Sequence, residues 1–182
     1  MVPRRLSPTV LPLLLCAAAC SDATGPRAFT SATAPGVYFA TAQNDSTYPQ
    51  AMGRDSASGC DITRVGGYLV LSADGTYHGP LFGLHFTCPD GSLGRTAMVF
   101  LGTYEVRDTA ILFHDAGGPA WDFAAKPSGW TSAGPDLDIM RPNWSGYSTR
   151  VHLQREPNSA TAARRIQDLD LPSGLEDSGN AP

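Results

Sequence analysis

Residues 67–77 read GYLVLSADGTY, and this stretch decides the fold class. Residues 68–71 are a short apolar run with the composition of a β-strand. Asp74-Gly75 is a dipeptide that favours a tight β-hairpin turn, and Thr76-Tyr77 begins the next run. The stretch therefore predicts two antiparallel strands joined by a turn.

Similar runs lie on both sides of this hairpin. They cover residues 37–40, 96–101, 103–106, 110–114, 120–123, 136–140 and 147–154. We count about eight or nine strands at a spacing near a dozen residues, with no helical period before the tail, which is typical of an all-β domain. We predict an antiparallel up-and-down barrel of about eight strands, with a β-sandwich as the alternative. Residues 43–61 are polar and indicate a loop.

Apolar and polar residues alternate in the last two runs. Leu137 and Ile139 alternate with Asp136, Asp138 and Met140, and Val151 and Leu153 alternate with Arg150, His152 and Gln154. A period of two places one apolar face toward a core and one polar face toward water. Asp136 and Asp138 should share the solvent face, where solubility explains them better than a pair of catalytic acids does.

The first residues have the anatomy of a secretory signal peptide. Arg4 and Arg5 supply positive charge, and residues 11–19 are apolar, end in small residues and are too short to span a membrane. Ala17-Ala18-Ala19-Cys20 resembles a bacterial lipobox, which implies cleavage before Cys20 and attachment of fatty-acid chains such as palmitate to it. The alternative is an ordinary signal peptide that leaves a free thiol. Ser21 follows the cysteine, which by the same resemblance implies the outer membrane as the location in the cell envelope.

Four segments follow from these observations. We expect a signal peptide at 1–19, a flexible tether at 20–35, the β-barrel domain at 36–155 and a mostly disordered tail at 156–182. Within the tail, residues 160–171 could form a turn or two of helix.

The strand order of residues 36–155 resembles the small lipocalin-like lipoproteins of bacteria. The shared features are Gly36-Val37-Tyr38, the hairpin at 67–77, Gly102-Thr103-Tyr104 and a closing run at 151–155. The resemblance implies an up-and-down barrel on a lipid tether.

Two cysteines remain in the body of the chain. Cys60 and Cys88 are an even pair in a protein bound for an oxidising compartment, so we predict a disulfide. Two separate thiols, or a metal pair with His85, are the alternatives. No Cys-x-x-Cys spacing supports a metal, and we expect neither a metal nor a cofactor.

The charge and the motifs exclude several function classes. The chain has 13 Lys and Arg residues and 17 Asp and Glu residues, which gives a formal net charge of −4. We therefore expect no basic surface for nucleic acid. No nucleophile elbow, phosphate-binding loop or zinc-protease motif occurs, and we expect no enzyme.

Aromatic residues occur in nearly every predicted strand. An eight-stranded barrel is wide enough to be filled by side chains or to hold one small ligand. If it holds a small apolar ligand, the candidate lining residues are Phe82, Phe86, Phe100, Tyr104 and Trp121. If it is filled, the protein is a non-catalytic structural or interaction protein, with Trp130 and Trp144 in loops as contact candidates and the protein partner unidentified.

Overall fold

A computed structural model describes residues 29–131, 134–144 and 147–171. The signal peptide, Cys20, the start of the tether and residues 172–182 lie outside them. The elements are β1 (Gly36–Gln43), β2 (Ser46–Thr47), β3 (Gln50–Arg54), β4 (Asp61–Gly66), β5 (Tyr68–Leu71), β6 (Thr76–Thr87), β7 (Leu93–Arg107), β8 (Ala110–Asp115), a 3-10 turn (Pro119–Trp121), β9 (Phe123–Thr131), β10 (Gly134–Trp144), β11 (Tyr147–Glu156) and α1 (Ser159–Leu169).

Eight of these strands close into a barrel. Strands β5 to β11 pair in chain order, each antiparallel to the next, and β1 pairs with both β11 and β5. The prediction of an antiparallel up-and-down barrel is therefore confirmed, and the sandwich alternative is not found, because the sheet returns to its first strand.

The hairpin that decided the fold class is present with its expected turn. The Asp74 carboxylate accepts hydrogen bonds from the backbone N–H and the hydroxyl of Thr76, at 2.9 and 2.6 Å. Gly75 has a φ of +84°, a conformation that glycine adopts without strain. The turn at Pro89–Ser92 repeats this design, since Asp90 accepts from the N–H of Ser92 at 2.9 Å.

The barrel has two ends, which we call lower and upper. At the lower end β1 begins, β11 ends, and the turns at residues 72–75, 107–110 and 131–134 lie together. At the upper end lie the β1–β2 turn and the 3-10 turn that follows β8. Phe29 is buried in the main core cluster together with Ala34 at the lower end, where the chain enters β1.

A second region projects from the upper end, and we call it the wing. It comprises β3, β4, residues 82–87 of β6 and residues 93–98 of β7, all paired antiparallel. Residues 43–61, read as a loop from the sequence, thus contain β2 and β3. These short strands are almost entirely exposed, and so they lack the alternation that marks a strand in a sequence.

The wing branches from the barrel at Gly66 and Gly67. The carbonyl of Gly67 accepts from the N–H of Ala40 on β1, and the Gly67 N–H donates to the carbonyl of Leu81 on β6. A side chain at Gly67 would overlap the Pro80 carbonyl, so only glycine fits. Strand β6 has a register shift between Pro80 and Phe82 at this level, which marks a bulge where the wing leaves the barrel.

Gly102 lies in a regularly paired part of β7. Strand β7 runs through it without a register shift, and Gly102 pairs with Tyr77 on β6 and Asp115 on β8. A Cβ at this position would overlap the His114 carbonyl, so the glycine permits close approach of the neighbouring strand.

Helix α1 lies on the outside of the barrel. Asn158 caps it by accepting from the N–H groups of Ala160 and Thr161. Its Ala162 is buried against Phe39 and Tyr68, with Ile166 and Leu169 packed beside them. The first part of the tail is therefore a three-turn helix, longer than the turn or two that the sequence allowed.

Candidate functional site

The five candidate ligand residues lie in three separate places. Phe100 and Tyr104 are buried in the barrel interior. Phe82 and Phe86 are half-buried on the wing. Trp121 lies in the 3-10 turn at the upper end and is 39% exposed. Phe82 packs against the core cluster that contains Phe100 and Tyr104. Phe100 and Trp121 line one pocket of about 200 Å³ near the upper end. None of the pockets found among the described residues is lined by all five.

In the part of the barrel interior that the structure describes, aromatic rings pack against one another. Phe113 stacks on Phe123 with ring centroids 4.4 Å apart and an interplanar angle of 11°. Tyr77 meets both of these rings edge-on, at 4.9 and 5.7 Å, and Phe100 meets Phe123 at 5.9 Å. Such pairs contribute about 0.5–1.5 kcal/mol each beyond the burial of their area.

The phenol groups inside the barrel have hydrogen-bond partners. The Tyr38 hydroxyl donates to the carbonyl of Ala34 at 2.8 Å, the Tyr104 hydroxyl to the carbonyl of Ser72 at 2.7 Å, and the Tyr77 hydroxyl to the carboxylate of Asp115 at 3.0 Å. Burial raises the pKa of Tyr38 to about 12, and the nearby Arg155 guanidinium opposes this only in part. These hydroxyl groups therefore stabilise the fold through intramolecular hydrogen bonds.

The wing carries an apolar face with a shallow groove. Phe82, Leu84 and Phe86 alternate along β6 and share one face, and Met98, 40% exposed, pairs opposite Phe82 on β7. The groove holds about 230 Å³ and is lined by Phe82, Gly83, Leu84, Thr96, Ala97 and Met98. This volume lies a little below the roughly 300–1,000 Å³ of ordinary small-molecule pockets, so the groove has room for a small apolar molecule or for a single side chain of a partner.

The wing is stabilised by a disulfide within it and by contacts with the segment that follows α1. Cys60 and Cys88 form the predicted disulfide, which joins the start of β4 to the end of β6. On the other side, Asp170 pairs with Arg95, and Leu171 packs over Gly83. Because α1 starts at the lower end and reaches the wing, it connects the two regions along the outside of the barrel.

A polar cluster on β10 and β11 contains Asp138, Arg150 and His152. The Asp138 carboxylate accepts from the Arg150 Nε at 3.0 Å and lies 2.8 Å from the His152 Nδ1. Burial raises the pKa of Asp138, but the hydrogen bonds from His152 and Arg150 outweigh it, and the net pKa lies below its usual value. Asp138 thus lies on the outer face of the barrel, as expected, but Arg150 and His152 cover it, and it is buried rather than exposed to solvent.

This cluster does not have the geometry of a hydrolytic triad. Ser128 Oγ lies 3.3 Å from His152, on the same Nδ1 that contacts Asp138. In a triad the serine and the carboxylate bind opposite nitrogens of the imidazole, so that the proton can pass across the ring. The cluster is a polar contact between neighbouring strands.

A second histidine contact lies on the outside of the barrel near its upper end. His114 Nδ1 is 3.2 Å from Asp122 and its Nε2 is 3.4 Å from Glu105. The hydrogen bond to Asp122, followed by that to Glu105, raises the pKa of His114 above its ordinary value. Asp115, the next residue in the chain, accepts a hydrogen bond from the Tyr77 hydroxyl.

The described residues contain no group of three or more metal-ligating side chains. Within the same ranges, no helix combines the length and the apolar composition needed to cross a bilayer.

Comparisons with known proteins add little beyond this geometry. No protein-family model and no curated protein matches the chain. A solved structure, that of a lipocalin-like protein from Bacteroides uniformis ATCC 8492, is 13% identical, covers 67% of this chain and 97% of its own length, and has a TM-score of 0.32. The description of the fold therefore rests on the strand pairing itself.

Proposed function

We propose that this chain is a non-catalytic, lipid-anchored protein of the cell envelope that binds its target on the outside of a filled barrel. The filled interior is the observation that carries the proposal. A ligand inside the barrel would have to displace rings that contact one another, among them Phe113, Phe123 and Tyr77.

The anchor is supported by the sequence of the first twenty residues. Two or more acyl chains on Cys20 would give durable attachment, because each buried methylene contributes about 0.8 kcal/mol. The pair Cys20-Ser21 supports the outer membrane as the location. Cys60 and Cys88 are joined to each other, so Cys20 is the thiol left for modification once Cys16 has been removed with the signal peptide.

Membrane fractionation tests the anchor. The Cys20→Ser variant should leave the membrane pellet after a carbonate wash, whereas Cys16→Ser, the matched control within the signal segment, should stay in it. If Cys20→Ser still pellets with membranes, the lipid-anchor proposal is wrong.

A second candidate function is the binding of a small apolar ligand, and the groove on the wing favours it. Phe82, Leu84 and Met98 offer a half-exposed apolar surface outside the core, and two of the five candidate ligand residues, Phe82 and Phe86, lie on this face.

An apolar fluorescent probe distinguishes the two functions. For a ligand-binding groove, the full mature chain should bind the probe, Leu84→Ser should weaken binding several-fold, and Leu101→Ser, on the exposed surface of the barrel, should leave it unchanged. If wild-type protein binds no probe, and its native mass equals its denatured mass, the groove holds no small ligand and the search moves to protein partners.

A further inference from the structure

The point at which the chain enters the barrel indicates which end of the barrel lies nearest the membrane. Cys20 lies nine residues before Phe29, and Phe29 is buried in the lower end of the barrel. Nine residues span at most about 30 Å when extended. A flexible chain of that length has a typical end-to-end distance of about 15–18 Å. An acyl chain on Cys20 would therefore hold the lower end close to the lipid surface.

The opposite end of the molecule is farther away. Strand β6 starts at the lower end and runs for twelve residues to the tip of the wing. At about 3.3 Å per residue it is about 40 Å long, longer than the extended tether. Barrel strands tilt relative to the barrel axis, so the height is less than this length. A barrel that stands on its lower end still carries the tip of the wing away from the headgroups.

An exposed tryptophan marks the lower end. Trp130 lies near the end of β9, where it pairs with Pro135, and it is 39% exposed. Tryptophan is enriched at membrane–water interfaces, because its ring is apolar while its N–H can bond to headgroups or water.

The charges near this end do not favour an anionic surface. Asp74 and Asp108 lie exposed in the lower turns. Arg107 pairs with Glu105 at 2.7 Å, and Arg155 donates to the carbonyls of Thr33 and Pro35. The apolar ring of Trp130, rather than a basic patch, is the group that suits a lipid surface here.

We infer that the lower end of the barrel rests on the membrane with Trp130 in the headgroup layer, and that the wing points away from the membrane. This inference rests on the proposed anchor at Cys20. It assigns Trp130 a lipid contact and leaves the face of the wing open to partners in the surrounding compartment.

The test uses two tryptophans that are equally exposed at opposite ends. Trp130 and Trp121 are each 39% exposed, and the chain has three tryptophans in all. One variant keeps only Trp130 (W121F/W144F) and its matched control keeps only Trp121 (W130F/W144F). Each mature chain is coupled through the Cys20 thiol to a maleimide lipid in phosphatidylcholine vesicles that contain lipid brominated near the headgroup.

The expected result is that bromine quenches Trp130 several-fold more strongly than Trp121. Equal quenching of both would mean that the barrel lies on its side, and stronger quenching of Trp121 would mean that it is inverted. No quenching of either, or quenching of Trp130 that appears only after anionic lipid is added, would also overturn the inference. Because the lipid is attached chemically, these outcomes do not depend on whether cells acylate Cys20, which the fractionation experiment decides separately.

Discussion

The barrel and the wing share two strands, yet they are held in different ways. The lower part of β6 belongs to the closed barrel, and its Tyr77 is only 1% exposed. Farther along the same strand, on the wing, Phe82, Leu84 and Phe86 are only half-buried. The barrel is stabilised by a ring cluster inside a closed sheet. The wing has edge strands and depends on a disulfide and a docked helix. Similar strand sequences thus differ in stability according to whether the sheet closes around them.

The largest loss of stability should come from a substitution in the aromatic ring cluster of the barrel. Phe113 is fully buried and stacks on Phe123, so Phe113→Ala should lower the free energy of unfolding by about 3–5 kcal/mol. Phe86→Ala on the wing is the matched change and should cost well under half as much, because Phe86 is already partly exposed. Urea unfolding of both variants measures this difference. Equal losses would contradict the distinction between the two regions.

Removal of the disulfide should have the second-largest effect on stability. Cys60 and Cys88 are 28 residues apart, and closing such a loop is worth about 3–4 kcal/mol in the chain-entropy account. The double variant C60S/C88S should increase hydrogen exchange in β3, β4 and residues 82–98, with barrel strands β9 to β11 little changed. Oxidised wild-type protein is the control. A uniform increase across the barrel would show that the wing is not a separate cooperative unit.

The helix cap should have a smaller effect. Asn158→Ala removes the side chain that accepts from two helix N–H groups, and should destabilise α1 by about 1 kcal/mol. Because Asp170 and Leu171 follow α1 and contact the wing, hydrogen exchange should rise in residues 82–98 as well as in the helix. Ser159→Ala, on the exposed first turn, is the control. If exchange rises in the helix alone, the tail does not support the wing.

The smallest effect is expected at His114, on the outside of the barrel. Its raised pKa means that the contact with Asp122 stabilises the fold fully below the ordinary pKa of histidine and is lost as the pH rises through the folded-state pKa. An NMR titration should show the pKa of His114 falling toward its ordinary value in Asp122→Asn. Asp115→Asn, which changes the neighbour in the chain, should leave it in place. If the pKa of His114 instead falls in Asp115→Asn and not in Asp122→Asn, Asp122 is not the partner of His114.

The barrel could be predicted because its strands carry local signals. Asp74-Gly75 fixes a turn through the Asp74 side chain, and the alternation at Leu137–Ile139 and Val151–Leu153 corresponds to residues that are buried in the core. These features depend only on neighbours in sequence, so one chain is enough to show them.

The wing could not be predicted, because its cause is not local. Residues 50–54 are mostly exposed and show no apolar alternation, and they form a strand because β4 lies beside them. The candidate ligand residues failed to converge for a related reason. The register shift after Pro80 and the outward extension of β6 separate Phe86 from Phe100 and Tyr104, and no spacing in the sequence reveals that separation.

Asp138 was also misjudged. Alternation places it on the outer face correctly, but outer faces are not always wet, and Arg150 and His152 on the adjacent strand cover it. Cross-strand partners of this kind become visible only once the register is known.

The branch at Gly66 and Gly67 has a consequence for how this architecture can vary between species. The chain enters the wing twice, between β1 and β5 and between β6 and β7, and each excursion leaves and returns through antiparallel neighbours at the same level of the barrel. Residues can therefore be added or deleted in matched pairs in either hairpin while the eight closing strands keep their register. Insertions and deletions among homologous chains should concentrate there, and the two glycines should mark where the variable part ends and the constant part begins.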